Sequence, residues 1–318
     1  MASASAPGEA WSGAFCLRPV VISTASKWAS FVKLSHTIFA LPFALAAMMV
    51  AARDNRGWPG WRTFLLILAA MVCARTCAMS FNRIVDRRFD ALNPRTAQRH
   101  LPAGAITLAS AITLCALAAG SFVLAAWLLN PVCFYLAPVA LVVVCGYSLT
   151  KRFTHYTHVV LGVALGLAPV GAWLAVKGAN LTWLDGLQMT VLAAAVVAWL
   201  VGFDIIYALQ DYEFDRAHGL HSLVVAWGPQ NALTAAFLAH MVLCVLLLVF
   251  GLLCQLRIAY MVGLGIIVVC LMLEHWIARR RSLDWVNVAF FRLNAVVSTV
   301  FLAVVATEII FKGGFWTR

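Results

Sequence analysis

Nine apolar runs dominate this chain, at about residues 35–52, 61–81, 105–129, 131–149, 157–177, 187–209, 230–254, 256–276 and 289–311. Most match the roughly 20 residues that an α-helix needs to cross the hydrocarbon core of a bilayer. A water-soluble fold of this size needs a polar coat, and the residues for one are missing. Hydrophobic residues make up 64% of the chain and charged residues 11%, where soluble domains have roughly 25% charged residues. Inside a bilayer every backbone N–H and C=O must find its partner within the protein, which favours helices for runs of this length. The expected fold class is all-α, a polytopic membrane protein of nine transmembrane helices. No linker or break in composition divides the chain, so it is read as an N-terminal interfacial segment, 1–34, and one transmembrane domain, 35–318. The opening MASASAPGEAW lacks the basic stretch followed by an apolar one that marks a secretory signal.

The formal net charge of +11 belongs to membrane topology rather than to nucleic-acid binding. Sorting Lys and Arg by alternating loops puts 15 on one side and 7 on the other, with Arg75 inside the second span. The richer side is expected to be cytoplasmic. That gives a cytoplasmic N-terminus, an external C-terminus and a plasma (bacterial inner) membrane location. Most of the nine cysteines lie in apolar spans, and Cys73 and Cys77, one turn apart, are read as packing residues rather than metal ligands.

Acids are scarce. Of 318 residues only 12 are Asp or Glu, and six of these fall in or beside two motifs: Asn82-x3-Asp86-x3-Asp90 and Asp211-x3-Asp215, with Asp204 and Glu213. Residues four apart share one face of a helix, and like charges so placed repel unless a cation joins them. Four spans separate the motifs, so both reach the same, basic membrane face and can build one site. Carboxylate and amide oxygens suit magnesium, which binds through one or two carboxylates plus substrate phosphates. Arg83, Arg87, Arg88, Arg95 and Arg99 stand near the first motif, with Lys151 and Arg152 in the next connection on that side. These bases and acids could form a plain salt-bridge lattice. The second motif has little basic charge near it in sequence, so a lattice explains it less well. A metal–diphosphate complex accounts for both signs at once, the acids holding metal and the bases holding the remaining oxygens.

In a membrane such a site suits a lipid diphosphate whose departure leaves an allylic cation, with the tail among the spans and water kept out. Phe81, Phe89, Tyr147, Phe203, Tyr207 and Tyr212 are candidates to face that cation, packing being the alternative for each. Asp204 and Arg75 lie two turns inside their motifs. Ionisable residues within spans usually face a cavity or each other, and an Asp204–Arg75 pair and substrate contact both stand open.

The run FNRIVDRRFDALNPRTAQRHLPAG (81–104) resembles the first signature of the UbiA superfamily of intramembrane prenyltransferases. GFDIIYALQDYEFDRAHGLHSL (202–223) resembles the second, YSLTKRFTHYTHVVLG (147–162) matches the family's Tyr-x3-Lys element, and SHTIFALPFALAA (35–47) also fits. The resemblance covers essentially the whole chain and is nearest to bacterial 4-hydroxybenzoate polyprenyltransferases and their menaquinone-pathway relatives. It implies a nine-helix bundle around a central cavity capped on the cytoplasmic side. Asn82, Asp86, Asp90, Asp211 and Asp215 would hold Mg2+ against a polyprenyl diphosphate, and the four aspartates would be catalytic. Lys151, Arg83, Arg95 and Arg152 would bind the diphosphate. The prenyl group would pass to an aromatic acid acceptor, with Arg75, Tyr147, Asp204 and Tyr207 as candidate acceptor contacts. Two departures from the pattern matter: Arg83 stands where many members carry Asp, and His100 where they carry Pro.

Transfer to 4-hydroxybenzoate in quinone synthesis is the leading expectation. A 1,4-dihydroxy-6-naphthoate acceptor is the alternative, towards which the FDIIYALQD form leans. From another class, a cation- or proton-coupled transporter would place its ionisable residues nearer the bilayer midplane. The pairs His155/His158 and His218/His221 are too sparse for a di-metal oxidase and are expected to bond within cytoplasmic connections.

Overall fold

A computed structural model describes residues 24–33, 37–280 and 283–311. Of the expected interfacial segment, residues 1–23 and 34 fall outside them, and of the expected transmembrane domain, residues 35–36, 281–282 and 312–318. The described residues form helices α1 (Thr24–Phe31), α2 (Thr37–Ala51), α3 (Trp61–Leu92), α4 (Leu108–Leu129), α5 (Pro131–Thr150) and α6 (Thr157–Lys177). They continue with α7 (Trp183–Ala208), a 3-10 turn at Leu209–Asp211, α8 (Tyr212–Ala217), α9 (Leu223–Leu253), α10 (Ile258–Arg280) and α11 (Leu283–Ile310). No strand occurs among the described residues. Among the described residues eight helices are long and apolar enough to cross a membrane. The ninth expected span is α2, with 15 residues, about 22 Å at the usual rise. Phe43, Ala44, Ala46 and Ala47 of α2 have no exposed surface, as expected of a helix apolar on every side.

Local chemistry sets the helix starts. Thr107 caps α4 by accepting from the Ser110 amide at 3.2 Å. Asn130 caps α5 by accepting from the Cys133 amide at 3.0 Å, with Pro131 in the first turn. Thr182 and Asp185 form a reciprocal capping box on α7, and Ser222 caps α9. Each cap satisfies donors that a helix start leaves open. Ser222 starts a short helical piece at Leu223, ahead of the span expected at 230–254, which runs on from Pro229 to Leu253. Gly228, at φ 78° and ψ 159°, then breaks the turn ahead of Pro229.

Neighbouring helices pack largely in chain order, and α2 fills the space between α6 and α11. Phe43 stacks on Phe301 with ring centroids 4.7 Å apart, while Phe39 meets Trp199, Phe203 and Phe291 edge-on. Gly202 lets α7 and α9 close up, since a Cβ there would press on the His240 ring and lie 2.9 Å from the Ala236 carbonyl oxygen. Trp61, Trp127 and Trp183 are exposed at the ends of α3, α4 and α7 that lie away from the carboxylate motifs. That is where amphipathic rings sit in membrane interfaces. The chain is an integral, multi-pass membrane protein.

Candidate active site

The first carboxylate motif lies on helix to its end. Hydropathy fades at Asn82, yet α3 runs on to Leu92, because Asn82, Asp86 and Asp90 fall one turn apart and the Asn82 amide donates to Asp86 Oδ2 at 2.8 Å. The second motif is less regular. Asp211 closes the 3-10 turn after α7, and Asp215 lies on the short α8.

Both motifs face one cavity of about 660 Å³. Asn82, Asp86, Asp90, Asp211 and Asp215 line it, as do Arg83, Arg95, Lys151, Arg152, Arg75, Tyr147, Asp204 and Tyr207. The structure thus brings together the residues singled out as metal, diphosphate and acceptor contacts. Of the aromatic candidates, Phe89, Tyr147, Phe203 and Tyr207 line the cavity and Phe81 and Tyr212 do not. Two of them already face cations: the Arg95 guanidinium lies 5.4 Å from the Tyr207 ring centre and that of Arg152 5.6 Å from Phe89. A second cavity of about 200 Å³, almost wholly apolar, adjoins the first and shares Arg75, Met79 and Tyr147 with it.

Each motif carboxylate has a basic neighbour. Arg99 reaches Asp90 at 2.6 Å, Arg152 reaches Asp86 at 3.5 Å and Lys151 reaches Asp215 at 3.4 Å. Arg95 grips Asp211 with two nitrogens, and Asn93 donates to the same carboxylate at 3.2 Å. This corrects the expectation that the second motif has little basic charge nearby. Its partners come from the α3–α4 and α5–α6 connections, distant in sequence and adjacent in space. Arg83, one of the two departures from the family pattern, lies buried 4.0 Å from Asp90. The other, His100, packs edge-on against Phe31 at 6.0 Å.

Lys151 is held on both sides. Its carbonyl accepts from the His221 amide at 2.8 Å. Burial pulls its ammonium pKa down, but Asp215, Asp204 and Asp211 more than offset this, so it lies above the ordinary lysine value. Lys33 goes the other way, to about 8, through burial and then the charges of Arg83, Arg99, Arg95 and Arg75.

The donor set fits a hard cation brought with a phosphate ligand. Among the described residues no group of three or more His, Cys, Asp or Glu is close enough to enclose an ion by itself. Magnesium does not need such a cage, since it takes one or two carboxylates and completes its shell with phosphate oxygens and water. Asp90 Oδ2 is buried without a hydrogen-bond partner, an oxygen donor kept out of water beside the cavity.

Several expectations change. The Asp204–Arg75 pair does not form: Arg75 donates to the Lys33 carbonyl at 3.1 and 3.3 Å, while Asp204 pairs with His158 at 2.6 Å. His158 is therefore not a residue of a connection but a buried member of α6. Of the other three histidines only His218 bonds as expected, its Nδ1 donating to the Phe214 carbonyl at 3.0 Å, while the rings of His155 and His221 pack tilted at 4.7 Å with Nδ1 of each unpartnered. The Cys77 thiol meets Cys115 and Cys145 at 3.8 and 3.7 Å, as helix packing requires. Sequence reasoning gave no site role to Asn93, Lys33, Phe291 or Arg292, all of which line the cavity. Asn93, three residues past Asp90, was the one within reach of a motif-based argument.

Residues 40–296 match the model of the UbiA prenyltransferase family. The chain belongs to this family. The 4-hydroxybenzoate octaprenyltransferase of Tolumonas auensis is 30% identical over 252 residues, covering 79% of this chain and 85% of that protein. The enzyme of the same name from Edwardsiella ictaluri is 31% identical over 246 residues, covering 77% and 84%. Among solved structures, a UbiA homologue from Aeropyrum pernix superposes with a TM-score of 0.77 at 32% identity, covering 85% of this chain and 96% of that one. A homologue from Archaeoglobus fulgidus, solved with GPP and Mg2+, superposes with a TM-score of 0.67 at 19% identity, covering 90% and 99%. The UbiA-family chain is accordingly a prenyltransferase, and the transporter reading falls away.

Proposed function

We propose that this UbiA-family enzyme transfers a polyprenyl group from its diphosphate to an aromatic acid, with 4-hydroxybenzoate as the acceptor and Mg2+ as the cofactor. One observation carries the reading: a polar cavity lined by paired acids and bases adjoins an apolar one, which matches an amphiphile with a diphosphate head and a hydrocarbon tail. The names of its relatives support 4-hydroxybenzoate. The FDIIYALQD form of the second motif favours 1,4-dihydroxy-6-naphthoate as the second reading.

Asn82, Asp86, Asp90, Asp211 and Asp215 would hold magnesium. When bound, the ion neutralises charge on the departing diphosphate. Lys151, Arg83, Arg95 and Arg152 bind the diphosphate oxygens. Donor binding thus exchanges partners: the bases turn from carboxylates to phosphate, and the carboxylates are freed for metal. Arg75, Tyr147, Tyr207 and Asp204 would contact the acceptor, Arg75 and Tyr147 from the border of the two cavities. The basic face, with the cavity mouth, is assigned to the cytoplasm.

The test is direct. Purified protein in lipid nanodiscs should join a polyprenyl diphosphate to 4-hydroxybenzoate with Mg2+ and lose this with EDTA. Competition with 1,4-dihydroxy-6-naphthoate ranks the two acceptors, and prenylation of neither would refute the reading.

Lys33 adds a pH dependence. It is charged below about 8 and neutral above, so an anionic donor is held less well as pH rises through that value. The donor kcat/KM, which reports the free enzyme, should fall there, and Lys33→Met should flatten that limb. An unchanged limb in the variant would remove Lys33 from donor binding.

A further inference from the structure

Five aspartates line the polar cavity, and one differs from the rest. Asp86, Asp90, Asp211 and Asp215 each pair directly with Lys or Arg, whereas the direct partner of Asp204 is His158 and the Lys151 charge acts on it from further off. Asp204 lies two helical turns before Asp211, and Thr157, Leu161, Phe203 and Phe291 line the same cavity. Its side chain keeps 19% of its surface exposed, while that of His158 keeps none. His158 Nδ1 lies 2.6 Å from Asp204 Oδ2, and no donor among the described residues reaches Oδ1. The far nitrogen, His158 Nε2, is buried without a partner. A buried polar atom left unpaired is costly, and an apolar residue would avoid that cost. Packing alone does not account for a histidine here, and its bond to Asp204 does.

We propose that Asp204, held in place by His158, is the catalytic base that takes the proton of the acceptor's ring hydroxyl as the new carbon–carbon bond forms. This rests on the aromatic-acceptor reading above. The allylic C–O bond breaks and its electron pair leaves with the diphosphate. The prenyl C1 bonds to the ring carbon ortho to the hydroxyl, and the hydroxyl proton passes to Asp204 Oδ1, giving a dienone whose only charge is the acceptor's carboxylate. The ring proton at the new bond then leaves to water, Asp204 returns its proton to the oxygen, and the ring is aromatic again. The balance is one prenylated phenol, one diphosphate and one released proton. His158 is a positioning residue: its Nδ1–H fixes Oδ2 and leaves Oδ1 for the acceptor.

The experiment compares 4-hydroxybenzoate with its 2-fluoro analogue, whose hydroxyl is more acidic and needs a base less. Asp204→Asn should slow the parent acceptor by about 10²–10³-fold, within the range of general base catalysis. The fluorinated acceptor should lose several-fold less, in proportion to its greater acidity. His158→Ala should lose about 10–100-fold, as removal of a supporting partner does. His158→Asn, whose amide N–H can stand in for Nδ1–H, should recover most of that. Affinity for a non-reactive prenyl thiodiphosphate should stay unchanged in all three variants, which also shows that the site is folded. Equal slowing of both acceptors, no recovery in His158→Asn, or lost thiodiphosphate affinity would each overturn the assignment. If the unaltered protein prenylates neither acceptor, the aromatic-acceptor reading itself has failed.

Discussion

Asp86→Ala and Asp211→Ala should each lower prenyl transfer by at least about 10²–10³-fold, the usual cost of removing one preorganised electrostatic group. The reason differs between the two. Losing Asp86 leaves Asn82 and Arg152 without the carboxylate they share. Losing Asp211 frees Arg95 and Asn93, which both bind it, and so loosens a diphosphate contact along with a metal ligand. If both motifs serve one site, the double variant should be little worse than either single one, because groups acting as a unit are strongly non-additive. Steady-state turnover of the three variants checks this. Multiplying losses would mean that the motifs act separately.

The second large effect concerns the tail. Gly171 lines the apolar cavity, and a Cβ placed there meets no other atom within 4 Å. Gly171→Leu should therefore fold without strain while filling much of a cavity of about 200 Å³. The kcat/KM for a long polyprenyl donor is expected to fall by tenfold or more, while a ten-carbon donor is little affected. Each buried CH2 is worth about 0.8 kcal/mol, so excluding two of them already reaches that size. A uniform loss for short and long donors would place the tail elsewhere. A test with donors of increasing length locates where the cavity ends.

The helices were largely legible because hydrophobic runs of bilayer length have few other uses. The span read at 157–177 is α6 to the residue. α3 is longer than its apolar run, since a helix whose polar face lines a cavity keeps its backbone bonds after its hydropathy has gone. The motif residues were legible too, their spacing being set by one helix turn. Their partners were not. Arg95 and Asp211 stand 116 residues apart, Lys151 and Asp215 64, and His158 and Asp204 46. Nothing local in the chain foretells such pairings, which follow from how α3, α6 and α7 are arranged around the cavity. His158 shows the limit most clearly. On an apolar helix beside a connection, it looked like a loop residue until the neighbouring helix brought Asp204 against it.

Two carboxylate motifs distant in sequence are proposed to make one metal–diphosphate site. Equilibrium binding of a non-reactive prenyl thiodiphosphate, measured while Mg2+ is titrated, tests it most directly. In the unaltered protein Mg2+ should tighten the thiodiphosphate, and the thiodiphosphate should tighten Mg2+ by the same factor, as linkage requires. Both Asp86→Asn and Asp211→Asn should abolish that coupling. Full coupling retained in either variant would contradict the account.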